Sequence, residues 1–138
     1  MIKKVLGSIL LTLSLMANDV VVDPETGLMW QDTSKIIKKN WNNAKNYCTE
    51  LTLAKYSNWR LPHLGELMSI TDRSKYKSAI KSIFKPRNLH FLHNYWWSNT
   101  AYIYDTSKAW STNFEGGTDF YYNKLEIYNV RCVRDTEE

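Results

Sequence analysis

The two cysteines of this 138-residue chain constrain its fold more than any other feature of the sequence. Cys132 lies in the segment 127–134, where Tyr128, Val130 and Cys132 recur at the two-residue period of a strand and share one face. Cys48 lies in a segment with the three- and four-residue spacing of a helix. A disulfide between them would close a loop of about 84 residues, stabilise the fold by about 4 to 5 kcal/mol and fasten the last strand to the first helix.

Residues 1–17 have the pattern of a secretory signal peptide. Lys3 and Lys4 give a positive start, and the apolar run 5–16 is too short to span a bilayer. We expect cleavage after Ala17, which leaves residues 18–138 as a single domain without stable membrane insertion; an uncleaved anchor is the alternative. A periplasmic or secreted location would favour the Cys48–Cys132 disulfide over the alternative of two free buried thiols.

Hydrophobic periodicity predicts helices in the first half of the mature chain and antiparallel strands in the second, an α+β fold. Asn40 is the predicted N-cap of the helix that carries Cys48, and Pro62 is predicted to open a second helix. A third helical pattern, in residues 76–84, stops before Pro86. A polar connector is expected before the first helix. Strands are predicted at 20–22, 28–30, 95–100, 109–114, 120–122 and 127–134.

Six short motifs, in order along the mature chain, carry a resemblance to a known family. They are Gly-Leu-Met-Trp-Gln at 27–31, Trp-Asn-Asn-Ala-Lys-Asn-Tyr-Cys at 41–48, Trp-Arg-Leu-Pro at 59–62, Glu-Leu-Met-Ser-Ile at 66–70, Tyr-Trp-Trp-Ser at 95–98 and Val-Arg-Cys-Val-Arg at 130–134. With these motifs the chain resembles the C-terminal domain of the Legionella collagen-like (Lcl) adhesins, a family of exported bacterial modules.

The resemblance implies a C-type-lectin-like fold, related to the formylglycine-generating and sulfatase-modifying proteins. Two main helices would lie beside a small antiparallel sheet, and the N- and C-terminal strands would pair. The expected disulfide is similar to the one between the first helix and the last strand of C-type lectins. Within the motifs, we interpret Trp59 as a core ring and Glu66 as the partner of Arg60, and strand alternation puts Trp96 and Trp97 on opposite faces.

Catalysis is not expected. Enzymes of the formylglycine-generating kind work through free cysteines, and a disulfide would leave this chain without one. No nucleophile-elbow motif frames a serine. An enzyme related to the formylglycine-generating proteins is the less favoured alternative.

No metal site or cofactor is predicted. His90 and His93 have the spacing of a metal pair, but no further ligand follows at a suitable distance. The carbohydrate motif that binds calcium in many C-type lectins is absent, although scattered carboxylates leave calcium an open question.

Aromatic and polar residues between positions 97 and 123 form the predicted binding surface. Flat amphipathic rings give contact area at little entropic cost, which suits sugar or protein surfaces. Ligand-binding roles are predicted for Asn99, Tyr102, Tyr104, Asp105, Trp110, Asn113, Tyr121 and Asn123. The predicted function is therefore an exported, non-catalytic module that binds a polysaccharide or protein ligand and no nucleic acid.

Charge is distributed unevenly along the chain. Between residues 35 and 87 there are twelve Lys and Arg residues but only three acidic ones. An alternative prediction is therefore adhesion to an anionic glycan through a basic face that includes Lys38, Lys39 and Lys45. Arg131 and Arg134 are expected instead to pair with nearby carboxylates at the strand end.

Overall fold

A computed structural model describes residues 19–87 and 89–136, and the signal-peptide prediction lies outside these residues. The described part has the predicted α+β composition, with two helices and two sheets. The helices are α1 (Trp41–Glu50) and α2 (Leu64–Ser69), and a 3₁₀ turn covers Phe91–His93. The strands are β1 (Val20–Val22), β2 (Leu28–Gln31), β3 (Ile37–Lys39), β4 (Tyr95–Ala101), β5 (Lys108–Asn113), β6 (Thr118–Asn123), β7 (Tyr128–Val130) and β8 (Val133–Asp135). None of the helices found there has the length and apolarity needed to cross a membrane.

The strands form two sheets rather than the single small antiparallel sheet that was predicted. One sheet has the order β1-β2-β8 and the other β3-β7-β4-β5-β6. All pairs are antiparallel except β4 with β7. The N-terminal hairpin pairs with the C-terminal strand through β2, where Trp30 lies opposite Val133. The predicted direct pairing of the N- and C-terminal strands is therefore not found in the described part of the chain, because β1 and β8 each pair with β2.

Helix α1 follows the predicted pattern. The Asn40 side chain accepts a hydrogen bond from the Asn43 backbone N–H at 3.0 Å and so caps the helix. Trp41, Ala44 and Cys48 recur at three- and four-residue spacing and are buried. Because Cys48 lies on this face, its sulfur reaches the core.

The C-terminal segment is split between the two sheets rather than forming the one strand predicted at 127–134. β7 belongs to the five-stranded sheet and β8 to the three-stranded sheet. Gln31 holds the crossover, because its backbone N–H donates to the Cys132 carbonyl at 2.9 Å and its side-chain Oε1 accepts from the Cys132 N–H at 3.0 Å. Cys132 is bonded to Cys48 with a Cα–Cα distance of 5.5 Å, so the predicted disulfide is confirmed.

Residues 76–84 do not form the predicted third helix. Their backbone groups bind distant elements instead: the Ala79 N–H donates to the Phe114 carbonyl at 2.7 Å, and the Lys81 N–H donates to the Ile70 carbonyl at 3.0 Å. Lys77 has a φ of 72°, which a right-handed helix does not allow. Tertiary hydrogen bonds therefore replace the helical ones that the spacing suggested.

Two cores lie on opposite faces of β4. Trp97 packs in the core that contains the disulfide, and Trp96 packs in a second core with Trp30 and Phe84. The alternation predicted for Trp96 and Trp97 is therefore confirmed. Both faces of the last segment are buried as well, since Asn129 and Arg131 are each 2% exposed.

Candidate functional site: an aromatic surface on the edge hairpin

Four aromatic rings gather on one face of the hairpin formed by β5 and β6, and we call them the ring cluster: Tyr102, Tyr104, Trp110 and Tyr121. Tyr102 stacks on Tyr121 with ring centres 3.8 Å apart and planes 7° apart. Trp110 meets both rings edge-on, at 5.7 Å from Tyr102 and 5.3 Å from Tyr121. Tyr104 meets Tyr102 edge-on at 5.7 Å and is 86% exposed. The cluster is thus a packed group with one ring that projects into solvent.

Strand register and a tight turn explain why these rings meet. Trp110 on β5 lies opposite Tyr121 on β6, and directly opposed side chains share a face of the sheet. The turn between β4 and β5 closes where the Tyr102 N–H donates to the Lys108 carbonyl at 2.9 Å. This closure brings Tyr102 and Tyr104 over the hairpin.

Asp105 holds the turn in shape. Its Oδ1 accepts hydrogen bonds from the Ser107 hydroxyl at 2.6 Å and from the Ser107 N–H at 3.1 Å. These bonds lower the pKa of Asp105 below its usual value, so the carboxylate stays charged. A hydrogen bond to Tyr121 acts in the opposite sense on Tyr102 and raises the pKa of its phenol.

Polar groups border the ring cluster. Lys108 Nζ lies 5.6 Å from the centre of the Tyr121 ring and 3.7 Å from Asp105 Oδ2. Asn123 is exposed and lies opposite Lys108 in the strand register, while its Oδ1 accepts from the Leu125 N–H at 2.9 Å. Asp105, Lys108 and Asn123 therefore offer charged and amide groups beside the rings. Lys108 is not among the predicted site residues. Its position two residues before Trp110 was the available signal, because residues two apart on a strand share a face.

Two predicted site residues lie apart from the ring cluster. Asn113 is fully buried, its amide donates to the Phe91 carbonyl at 2.8 Å and its Oδ1 accepts from the Glu115 N–H at 2.8 Å. It therefore supports the hairpin turn, and we correct its predicted ligand-binding role. Asn99 is half-buried in the irregular part of β4, where its backbone N–H donates to the Pro62 carbonyl at 2.7 Å.

A second aromatic group lies on the opposite face of β6. Tyr122 packs 4.9 Å from Tyr95 and 5.1 Å from Tyr128. Burial and a hydrogen bond to Glu126 raise the pKa of Tyr128 above its usual value. Tyr122 and Tyr128 pack against the disulfide core and so support the sheet. Strand alternation alone separates Tyr121 from Tyr122, and this signal was available in the sequence.

Basic residues near α1 form a second surface, the basic patch, which contains Lys39, Lys45 and Lys124. Lys38, the other predicted lysine of β3, lies opposite Asn129 while Lys39 lies opposite Tyr128, so Lys38 points to the other face of the strand. Lys45 Nζ and Lys124 Nζ lie 4.4 Å and 4.1 Å from the centre of the Trp41 ring. The Trp41 N–H donates to the Lys124 carbonyl at 3.0 Å, which fixes the β6–β7 loop against the helix. Among the described residues, no carboxylate forms an ion pair with any of these four lysines.

The Trp-Arg-Leu-Pro motif is structural. Trp59 is 3% exposed, and Arg60 forms two hydrogen bonds to Glu66, at 2.6 Å and 2.7 Å. Backbone hydrogen bonds of 2.9 Å in both directions join Arg60 to Val133 on β8. The predicted pairing of Arg60 with Glu66 is confirmed, and the motif connects α2 to the end of the chain.

The alternative predictions of thiol catalysis and of a metal site require a free cysteine and a group of metal ligands. Both cysteines of the chain are in the disulfide, so neither is a free thiol. His90 and His93 have ring centres 6.2 Å apart, and His90 Nδ1 accepts a hydrogen bond from the Leu92 N–H. Across residues 19–87 and 89–136, no three His, Cys, Asp or Glu side chains converge in a way that would hold a metal ion.

Comparison with known proteins supports the resemblance noted in the motifs. Residues 19–134 match the family model described as the Lcl C-terminal domain. A search of curated proteins gave no match. The family match covers both sheets, both helices and the two cysteines. The chain therefore belongs to the Lcl C-terminal domain family.

Proposed function

We propose that this protein is an exported, non-catalytic module that binds a polysaccharide through the ring cluster. The observation that carries the proposal is the packed group of Tyr102, Tyr104, Trp110 and Tyr121, from which Tyr104 projects with 86% of its surface exposed. The experiment described below distinguishes a polysaccharide ligand from a protein ligand.

The chemistry of the surface suits a sugar polymer. Aromatic faces offer apolar area to the C–H groups of a sugar ring, while a rigid ring loses little entropy on binding. Asp105 accepts hydrogen bonds, Lys108 donates them, and Asn123 does both. A sugar hydroxyl can therefore bind here either as a donor or as an acceptor. Because Tyr102 and Tyr121 are already stacked, the surface is preorganised.

Export and the absence of thiol catalysis are supported by the disulfide. Disulfides persist in oxidising compartments, so a periplasmic or secreted location is part of the proposal. A bonded Cys48 and Cys132 leave no thiolate for chemistry of the formylglycine-generating kind. The β2–β8 pairing and the bond between α1 and the C-terminal segment also support a C-type-lectin-like fold.

The test uses a glycan array probed with the wild-type protein and two tyrosine variants. Tyr104→Ala removes the projecting ring of the cluster. Tyr76→Ala is the matched control, because Tyr76 is 76% exposed but lies in the irregular segment before Ile80. We expect Tyr104→Ala to weaken binding about tenfold, since one aromatic contact contributes about 1.4 kcal/mol.

Tyr76→Ala should bind like the wild-type protein. Equal binding by all three proteins would contradict the ring cluster as the site. If no glycan on the array binds, and the wild-type protein captures a purified surface protein more strongly than Tyr104→Ala does, the ligand is a protein rather than a polysaccharide.

A second candidate function is adhesion to an anionic glycan through the basic patch. The observation that favours it is the pair Lys45 and Lys124, which lie on Trp41 without an acidic partner in the described part of the chain. Unpaired cations keep their charge available for sulfate or carboxylate groups. Binding of this kind falls steeply with salt, whereas ring stacking is less sensitive.

This candidate is separated from the first by heparin binding at two salt concentrations. Lys45→Gln should weaken a basic-patch interaction, while Lys77→Gln removes an exposed lysine from the segment before Ile80 as a control. If heparin binds through the basic patch, affinity drops with salt and with Lys45→Gln but not with Lys77→Gln. Binding that survives both salt and Lys45→Gln would reject this candidate.

A further inference from the structure

The ring cluster borders an open edge of the five-stranded sheet. Among the described residues β6 pairs with β5 alone, so its outer side is that edge. The Lys124 N–H donates to the Ser107 carbonyl at 2.9 Å, and the strand register puts these two residues opposite each other. Because hydrogen-bonded pairs alternate along an antiparallel ladder, the backbone N–H and C=O groups of Asp119 and Tyr121 point away from β5 along the edge.

Phe120 lies at this edge. Its ring stacks on that of Tyr121, with centres 4.7 Å and planes 12° apart, and lies 5.4 Å from the Tyr122 ring. Consecutive side chains of a strand point to opposite faces of the sheet, so the rings of Phe120 and Tyr121 meet only around the open edge. Phe120 is 49% exposed, so half of an apolar ring faces solvent there.

The flat faces of the ring cluster are unequally accessible. The Tyr121 ring lies between those of Tyr102, at 3.8 Å, and Phe120, at 4.7 Å, because two parallel rings this close cannot share one face of it. Both faces of Tyr121 are therefore covered, and Trp110 is half-buried against Tyr102 and Tyr121. A ligand can stack only on an exposed face, which Phe120 offers at one end of the stack and Tyr104 at the other.

The charged side chains around the stack are paired with one another. Lys108 Nζ lies 3.7 Å from Asp105 Oδ2, and Arg73 Nη2 lies 3.3 Å from Asp119 Oδ2. The Asp119 carboxylate also accepts a hydrogen bond from the Thr112 hydroxyl at 2.7 Å. These four charged groups balance, which favours an uncharged ligand over an anionic or a cationic one.

We propose that Phe120 stacks on a sugar ring and that an uncharged polysaccharide lies along the open edge of β6. This inference rests on the proposed function, to which it adds a binding residue and a ligand class. The exposed face of Phe120 covers the C–H groups of one sugar ring. Hydroxyl groups of the same polymer bind the edge N–H and C=O groups of Asp119 and Tyr121.

The affinity for the glycan that the array binds best tests the role of the ring. Phe120→Ala should weaken binding about tenfold, whereas Phe120→Tyr, which keeps an aromatic face, should bind like the wild-type protein. Phe91→Ala is the matched control, because Phe91 is 40% exposed and lies in the 3₁₀ turn. Its binding should equal that of the wild-type protein.

The outcomes separate this inference from the proposed function. If Tyr104→Ala weakens binding and Phe120→Ala does not, Phe120 has no binding role while the proposed function stands. If the wild-type protein binds no glycan, both are overturned.

Nuclear Overhauser effects distinguish contact with the sugar from mere support of the Tyr121 ring. Protein with ¹³C-labelled phenylalanine should give cross-peaks between the Phe120 ring and C–H protons of the bound glycan. Phe120→Tyr identifies the signals of that ring by their loss. A saturated complex without these cross-peaks would overturn direct stacking.

Salt dependence tests the ligand class. Because the charges around the stack are paired, affinity should change by less than about twofold between low and high salt. A steep loss of affinity with salt would overturn the uncharged class.

Discussion

Glu66 joins two elements with one carboxylate. It accepts hydrogen bonds from Arg60 at 2.6 Å and 2.7 Å and from the His63 N–H at 2.9 Å at the start of α2. Partial burial acts to raise the pKa of Glu66, but the bonds from Arg60 and His63 outweigh it and hold the pKa below its ordinary value of 4.5. The folded protein therefore favours the charged form.

This shift predicts a pH-dependent contribution to stability. A carboxyl group whose pKa is lowered by folding stabilises the fold above its unfolded pKa and loses that contribution as the pH falls through the folded pKa. Glu66→Gln should reduce the free energy of unfolding by about 1 kcal/mol at pH 7, because the partly exposed pair is screened by solvent. The difference from wild type should shrink below about pH 4.5.

Urea unfolding of both proteins between pH 7 and pH 3 measures the effect. Glu50→Gln is the control, since Glu50 is an exposed carboxylate at the end of α1. A gap between wild type and Glu66→Gln that stays constant with pH would contradict the role of this carboxylate.

Arg60 and Arg131 show how far the sequence alone predicts the partners of an arginine. Glu66 lies six residues from Arg60, so the pair was visible locally. Arg131 does pair with a carboxylate, as expected, but Asp32 lies 99 residues away and the group is buried between Phe84 and Trp96. No local pattern reveals that burial, because the fold brings the aromatic rings to the guanidinium.

Among the elements, the C-terminal segment depends most on the disulfide. The bond joins residues 84 positions apart, and the chain-entropy model gives a stabilisation of about 4.5 kcal/mol for a loop of that length. The double variant Cys48→Ala/Cys132→Ala should therefore lower the free energy of unfolding by about 4 kcal/mol in urea. Reduced wild-type protein, which keeps both sulfur atoms, should lose a similar amount. Equal stability of the oxidised and reduced wild-type proteins would contradict the prediction.

Hydrophobic spacing and capping residues predict an element correctly when the backbone hydrogen bonds of that element join residues close in the sequence. Helix α1 has its own cap at Asn40, and its buried face follows the helical period, so the prediction succeeded. The segment 76–84 has a similar spacing, but its backbone binds Phe114 and Ile70. The polar sequence before α1 predicts a connector rather than strand β3, because these three residues become a strand only by pairing with β7, about 90 positions along the chain.

At the scale of the whole molecule, the fold brings four of the eight predicted site residues into one group of rings. The cluster was predictable in composition, since Tyr102, Tyr104, Trp110 and Tyr121 lie within a short stretch. Its stacking was not, because it depends on the register of β5 with β6 and on the turn that Asp105 and Ser107 hold. Asn113 is buried because it lies three residues from Trp110 on β5, and strand alternation puts it on the opposite face.

The ring cluster lies on the β5–β6 hairpin and the basic patch is centred on Trp41 of α1, although the two adjoin where the Lys124 N–H donates to the Ser107 carbonyl at 2.9 Å. The location of binding therefore distinguishes the two proposed functions. Titration of ¹⁵N-labelled protein with the glycan that the array binds best, followed by NMR, measures that location directly. Binding through the ring cluster should shift the amide signals of residues 102–110 and 119–123. Shifts confined to residues 38–45 and Lys124, or none at saturating ligand, would contradict it.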